Sequence, residues 1–274
     1  MRDIGAGVAA GALLGVGFLA SDRWLRNPAV AIVGQAESQA ALVITPTRHV
    51  LLAMGPWSDK LVDAIVPLIG WSNRRLDLVV ASAHDAAPAQ QWSERRGETG
   101  RLAFVSNSEP AGLPSDENSI HRAVEVQLTD DVRLVIEPTY PLFSNDQPDA
   151  LSPWTALIHR GQDRIWLIQR TSGIEFVAPI HPPTILAVPN GEALTDSTIF
   201  RARAIASNVA SWMQSGAHRQ AFDEAKPPIA IVRTFPREPA IFEFVDTGIR
   251  VPFWTRELSQ PAATADFILP ARNR

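Results

Sequence analysis

Arg74-Arg75-Leu76-Asp77-Leu78-Val79-Val80-Ala81-Ser82-Ala83 is the stretch on which the fold turns. From Leu76 to Ala81 it reads as an apolar strand of the kind buried on both faces. A loop opens behind it with Ser82-Ala83-His84-Asp85. Ahead of it, Ser58 to Ile69 places Leu61, Ala64, Ile65 and Leu68 at helical spacing, with Ser58 as N-cap and Pro67 ending or kinking the helix. Earlier still, Ala29–Val33, Ala40–Thr45 and Val50–Ala53 read as strands. Gly34-Gln35 breaks the first, and Pro46-Thr47-Arg48-His49 joins the other two.

Downstream, residues 106–120 are rich in Ser, Asn, Pro and Gly and read as a loop or insertion. Strands return at Ala123–Leu128, Val132–Glu137, Thr155–His159, Arg164–Gln169 and Ile185–Val188, with a turn at Pro179–Pro183. Ile199–Met213 reads as a helix, and Ile229–Arg233 and Ile241–Val245 as closing strands. Each half runs strands and then a helix, which predicts sheets covered by helices.

The 274 residues are enough for one large domain. A net charge of −4 excludes a global field that would attract nucleic acid, so any DNA contact needs a local patch. The absence of cysteine removes disulfides, thiolate metal sites and cysteine nucleophiles together. No Gly-x-Ser-x-Gly elbow, phosphate-binding Gly-x-x-x-x-Gly-Lys loop or strand-borne Gly-x-Gly-x-x-Gly is present.

Residues 1–27 stand apart. Ile4 to Ala20 carries no charge, and its seventeen residues would span about 25 Å as a helix. That is slightly short of a bilayer core of roughly 30 Å. Ile4, Leu13, Leu14, Phe18 and Leu19 supply the apolar surface, and the interspersed glycines permit close helix packing. The segment reads as a single-pass anchor. A signal peptide and a buried Gly-rich helix are the alternatives. Residues 28–274 form the folded domain, expected on the extracytoplasmic side.

Four motifs in order resemble the metallo-β-lactamase-like domain of the bacterial ComEC/Rec2 DNA-uptake proteins. Ile32 to Leu42 is similar to that family's LDVGQGDAALI, and Val50-Leu51-Leu52-Ala53-Met54-Gly55-Pro56 to its VLIDAGP. Arg74 to Ala83 is similar to RRLDLLVLSH, and Leu186-Ala187-Val188-Pro189-Asn190-Gly191 to LKVPHHG. The resemblance covers roughly residues 29–215. It implies an αββα four-layer sandwich, with helices outside two packed sheets.

In hydrolases of that family an HxHxDH cluster and further carboxylates hold metal ions that generate hydroxide. The positions matching them are Ala53, Ala83, Asp85, Ala87, Pro88, Arg170 and Asn190, of which only Asp85 has the chemistry of a ligand. The remaining histidines show no ligand spacing around His84 and Asp85. The resemblance therefore implies no metal, no cofactor and a non-catalytic pseudoenzyme: a membrane-anchored scaffold or accessory subunit. Its partner would be a membrane protein, met through the N-terminal helix and an exposed face. A DNA-binding component of an uptake system is the first alternative, and a metal-dependent nuclease or hydrolase the second. Arg74, Arg75, Arg95 and Arg96 are expected to flank the Asp85 loop as a candidate phosphate or DNA rim, against Asp77, Asp85, Glu94 and Glu98. Trp57, Trp71 and Trp92 are expected near the same edge, as core or interface anchors.

Overall fold

The computed structural model describes residues 27–35, 38–72, 75–97, 99–106, 118–139, 154–168, 184–187, 202–207, 230–233, 239–251 and 267–270. In chain order these form β1 (Ala29–Gln35), β2 (Ser38–Ile44), β3 (His49–Met54), α1 (Asp59–Ser72), β4 (Leu76–Ser82), α2 (Ala86–Arg96), β5 (Thr99–Val105) and β6 (Ser119–Ile120). There follow β7 (Val124–Gln127), β8 (Val132–Pro138), β9 (Trp154–Arg160), β10 (Asp163–Ile168), β11 (Ile185–Ala187) and β12 (Ala204–Ser207). The last are β13 (Ala230–Arg233), β14 (Ala240–Val245), β15 (Gly248–Val251) and β16 (Phe267–Pro270).

Period-two alternation sorts the side chains onto two faces. The first sheet has nine strands in the order β16-β15-β14-β1-β2-β3-β4-β5-β6, and the second seven in the order β13-β12-β11-β10-β9-β8-β7. Val30, Ile32, Val43, Leu52 and Val80 of the first sheet meet Leu134, Ile136, Trp154, Ile158 and Leu167 of the second in one continuous interior. The intervening residues Val33, Leu42, Leu51, Val79 and Ala81 face the other way, against Leu61 and Ile65 of α1 and Ala89 of α2. Strand β8 shows the rule plainly: Val132, Leu134 and Ile136 are buried while Arg133 and Glu137 are exposed. Two packed sheets with helices on an outer face are therefore present, as the motif order implies. Among the described residues only the first sheet's outer face carries helices.

Several local expectations need correction. Helix α1 runs on through Pro67 to Ser72 rather than stopping there. Its start is as expected, with Ser58 Oγ accepting from the Leu61 N–H at 3.3 Å. The loop after β4 is a single 3-10 turn, Ala83–Asp85, leading straight into α2, whose mostly polar sequence hides it from a periodicity test. Part of the helix expected over Ile199–Met213 is strand β12, which pairs in parallel with β11 and β13. Tertiary pairing there overrides a helical apolar spacing. The proposed anchor residues Ile4, Leu13, Leu14, Phe18 and Leu19 lie outside the described residues, as do Arg74, Arg170 and Asn190. Among the described residues no helix is long and apolar enough to cross a membrane.

Two links show how the sheets align. Thr47 Oγ1, in the β2–β3 turn, donates to the Leu128 carbonyl in the β7–β8 turn at 3.1 Å. Arg160, at the end of β9, donates from Nε to Asp131 at 2.5 Å and from Nη1 and Nη2 to the Phe244 carbonyl and Asp246 at 3.3 and 3.2 Å. Both links join the ends at which β3, β4 and β10 begin. Strands β3 to β6 are mutually parallel, and so are β10 to β13. Their carboxyl-terminal ends consequently lie together at the opposite end of the sandwich.

Burial raises the Asp131 carboxyl, but the Thr129 hydroxyl and the Arg160 guanidinium outweigh it and hold the group below the ordinary carboxylate range. A carboxyl with a lowered folded pKa contributes stability above its unfolded pKa and loses it as pH falls through the folded value. Arg160→Ala is expected to lower the unfolding free energy by about 1 kcal/mol at neutral pH, allowing for the solvent exposure of both acids. The deficit shrinks when chemical denaturation is repeated below pH ~4. A deficit independent of pH would show that the guanidinium acts through packing alone.

Candidate functional site

The carboxyl-terminal ends of parallel strands are where open α/β sheets place ligands, and in this molecule the buried polar side chains of Gln39, Ser82 and Asp85 stand there. Register locates them. Gln39 of β2 pairs with Met54 of β3, and Ser82 of β4 pairs with Val105 of β5. The β3–β4 ladder matches Leu52 with Val80, so two residues further on Met54 stands level with Ser82. Gln39, Met54, Ser82 and Val105 thus form one row across four neighbouring strands. Alternation turns that row toward the space between the sheets, since Met54 and Val105 both belong to the inter-sheet core.

Gln39 and Ser82 are fully buried, and neither amide atom of Gln39 nor the Ser82 hydroxyl has a hydrogen-bond partner among the described residues. Each such group costs about 1–3 kcal/mol if left unsatisfied. Native chains rarely keep several without a use.

Asp85 lies just past the same strand end. It occupies the N-cap position of α2, yet its side chain makes no capping bond. One carboxylate oxygen accepts the backbone N–H of Trp57, which ties the β4–α2 turn to the β3–α1 loop. The other, Oδ2, is buried and unpartnered among the described residues. Burial pushes this carboxyl up, against the lowering pulls of the Trp57 N–H and of His84. A buried carboxyl with an upward shift at a strand end has the character of a proton-handling group.

The other sequence-derived positions separate. Ala53 is buried on the helix-facing side of β3. Ala83 is half-buried in the turn, whereas Ala87 and Pro88 sit exposed in the first turn of α2, where proline is tolerated. Strands β10 and β11 end at Ile168 and Ala187, two and three residues before Arg170 and Asn190. The arginine rim is not where it was expected. Arg75 precedes β4, and Arg95 and Arg96 close α2 directly before β5, so all three stand at the far end of the strands from Asp85. Trp57 and Trp92 meet edge to face at 5.4 Å with Arg96 over the Trp92 ring, half-buried against the helix-side core rather than forming an exposed aromatic patch. The Trp71 side chain lies outside the described residues. Sequence reading missed Gln39 and Ser82; their signal is a polar residue continuing the inward phase of Ala41-Val43 and of Leu78-Val80.

A dication needs three or more donors, usually charged or imidazole. No group of three His, Cys, Asp or Glu placed to hold a metal occurs among the described residues. Among the described residues Asp85 alone does not fit such an ion.

No family model matches the chain, and no curated protein matches it. Solved structures do. The metallo-β-lactamase fold protein YhfI from Bacillus subtilis is 12% identical, with 80% of this chain and 100% of that chain covered, at a TM-score of 0.47. The short form of human tRNase Z is 7% identical over 75% of this chain and 92% of its own, at 0.36. A metallo-β-lactamase from Cronobacter sakazakii is 14% identical over 73% and 83%, at 0.35. The likeness is to a metallo-β-lactamase fold at low identity, and nothing in it points to DNA-uptake proteins in particular. It also corrects the expectation of a pseudoenzyme. The solved structures that the chain resembles include a tRNase and a β-lactamase. That expectation rests on seven positions only. Two of them lie outside the described residues, and the row formed by Gln39 and Ser82 was not among them.

The upward shift of Asp85 has a sign that can be measured. A carboxyl that binds its proton more tightly in the folded state makes folding less favourable as pH rises above the unfolded pKa, and fully so above the folded pKa. Asp85→Asn keeps an oxygen for the Trp57 N–H and removes the charge. It is expected to raise the melting temperature at neutral pH, with the gain fading as pH falls through the raised pKa toward ~3.9. A variant less stable than the parent at neutral pH would make Asp85 a structural strut.

Proposed function

We propose that this chain is a hydrolase acting at the shared carboxyl-terminal end of its parallel strands, with Asp85 as the group that moves the proton. The observation that carries this reading is that, among the described residues, the buried Oδ2 of Asp85 and the buried side chains of Gln39 and Ser82 at the same strand ends have no hydrogen-bond partner. Such a constellation costs stability wherever it serves only the fold. It is understandable where a substrate or a water supplies the missing partners.

In this reading the ionised Asp85 takes a proton from an attacking water and returns it to the leaving group. Burial brings its pKa closer to the working pH, which improves a carboxylate as a base. The amide of Gln39 offers both a donor and an acceptor, and the Ser82 hydroxyl can do either. They suit the placing of a polarised carbonyl or phosphoryl oxygen and the orienting of the water. The apolar walls around them, Met54 and Val105, keep the local dielectric low and strengthen each polar contact.

The full-length protein should be assayed on a phosphodiester, a carboxylic ester and a chromogenic β-lactam, each with a chelator and with added zinc or manganese. At least one substrate is expected to turn over, and Asp85→Asn to slow it about 100-fold or more while remaining folded. Equal rates for parent and variant on every substrate would overturn the proposal. The metal series reports separately whether an ion takes part.

A further inference from the structure

At the opposite end of the same strands lies a cleft of about 290 Å3, lined by Thr47, Arg48, His49, Arg75 and Asp77. Its frame is built by side chain to backbone bonds. In the β2–β3 turn Thr45 Oγ1 donates to the Arg48 carbonyl and accepts the Arg48 N–H, both at 2.9 Å. Thr47 is fastened to the second sheet through Leu128. Asp77 Oδ2 accepts the His49 N–H at 2.7 Å, which fixes the start of β4 against the start of β3. The backbones that carry Arg48 and Arg75 are thereby held in place relative to each other.

The two guanidiniums are exposed, and among the described residues no ion pair or hydrogen bond engages either of them. Elsewhere arginines do find acids: Arg133 pairs with Glu125, Arg160 with Asp131 and Asp246, and, away from the surface, Arg250 with Glu243. Two cations facing one carboxylate leave the cleft with net positive charge in a protein of net charge −4. The carboxylate is itself half spent, since Oδ2 is committed to His49 while no bond engages Oδ1 among the described residues.

We infer that this cleft binds a small phosphate monoester bearing a hydroxyl group. Guanidinium forks match phosphate oxygens bidentately and favour an oxyanion over a neutral polar ligand. Asp77 Oδ1 repels a bare anion but accepts from a hydroxyl, so a phosphate joined to an alcohol satisfies all three charged groups at once. The volume admits a ligand of a few heavy atoms beyond the phosphate. The site is separate from the Asp85 end, so the two stand or fall independently.

The test is calorimetric titration of the full-length protein with glycerol 3-phosphate, inorganic phosphate and glycerol at low salt. Glycerol 3-phosphate is expected to bind saturably and more tightly than inorganic phosphate, and glycerol not at all. The double variant Arg48→Gln/Arg75→Gln changes only exposed side chains and should weaken the ester about tenfold or more, with its circular dichroism unchanged. Asp77→Asn still accepts the His49 N–H. It should narrow the gap between ester and phosphate without abolishing either. Absence of saturable binding, or an unchanged Kd in the double arginine variant, would overturn the site. Equal affinity of the parent for ester and phosphate would overturn the hydroxyl assignment.

Discussion

Everything in this molecule depends on the face-to-face burial of two β-sheets. Trp154, Phe242, Phe244 and the aliphatic residues around them are withdrawn from water together, and each large apolar side chain so buried contributes about 1.5–3 kcal/mol. That term fixes more than stability. Because side chains alternate, a slip of one residue in any ladder would turn an apolar set outward, so the core also fixes register. Register in turn sets which residues share a row. Gln39 and Ser82 face the interior because Ala41-Val43 and Leu78-Val80 must, and a chain with no use for them would have had apolar residues in the same phase.

The two ends of the sandwich carry different bonds. Where the parallel strands begin, threonine, arginine and aspartate side chains are paired across the sheets and into turns, with Arg160 alone reaching three acceptors. Where they end, Gln39, Ser82 and Asp85 keep buried polar atoms without partners among the described residues, a cost that Asp163 Oδ1 also carries at the other end. A fold can carry that cost only if the far end and the core supply the surplus, and sites of action are commonly the places where stability has been given up.

Much of this was legible in the sequence, for reasons that differ by element. Strands β1 to β4 were plain because both of their faces are buried and their apolar runs are long. Helix α1 was plain from spacing and from Ser58. Helix α2 was not, because most of its residues face water and its sequence, Ala86 to Arg96, holds only Ala89 and Ser93 as buried residues. Strand β12 was misread because Ile199–Met213 has helical spacing, while its pairing partners β11 and β13 come from segments that a local reading does not connect. The candidate site was half legible. Asp85 stood out as the one ligand-like letter in a motif; Gln39 and Ser82 did not, since a buried polar residue is conspicuous only once the strand's inward phase is known. The arginines were assigned to the wrong end because nearness in sequence to the Asp85 loop says nothing about the direction in which α2 and β4 run.

Asp85 can be judged by what it declines to do. A carboxylate at the first position of a helix normally caps it, and the helix dipole and free N–H groups together draw its pKa down. At this N-cap the side chain turns away from α2 and takes the Trp57 N–H of another loop. Burial then outweighs that bond and the charge of His84, and the pKa rises instead of falling. An aspartate kept only to stabilise α2 would have gained more by capping it. An aspartate kept only to tie the two loops would have served as well as asparagine, without an ionised oxygen in a site from which water is withdrawn. What neither structural duty explains is the second oxygen, buried and unmatched among the described residues, and that oxygen is what a proton-transfer role requires.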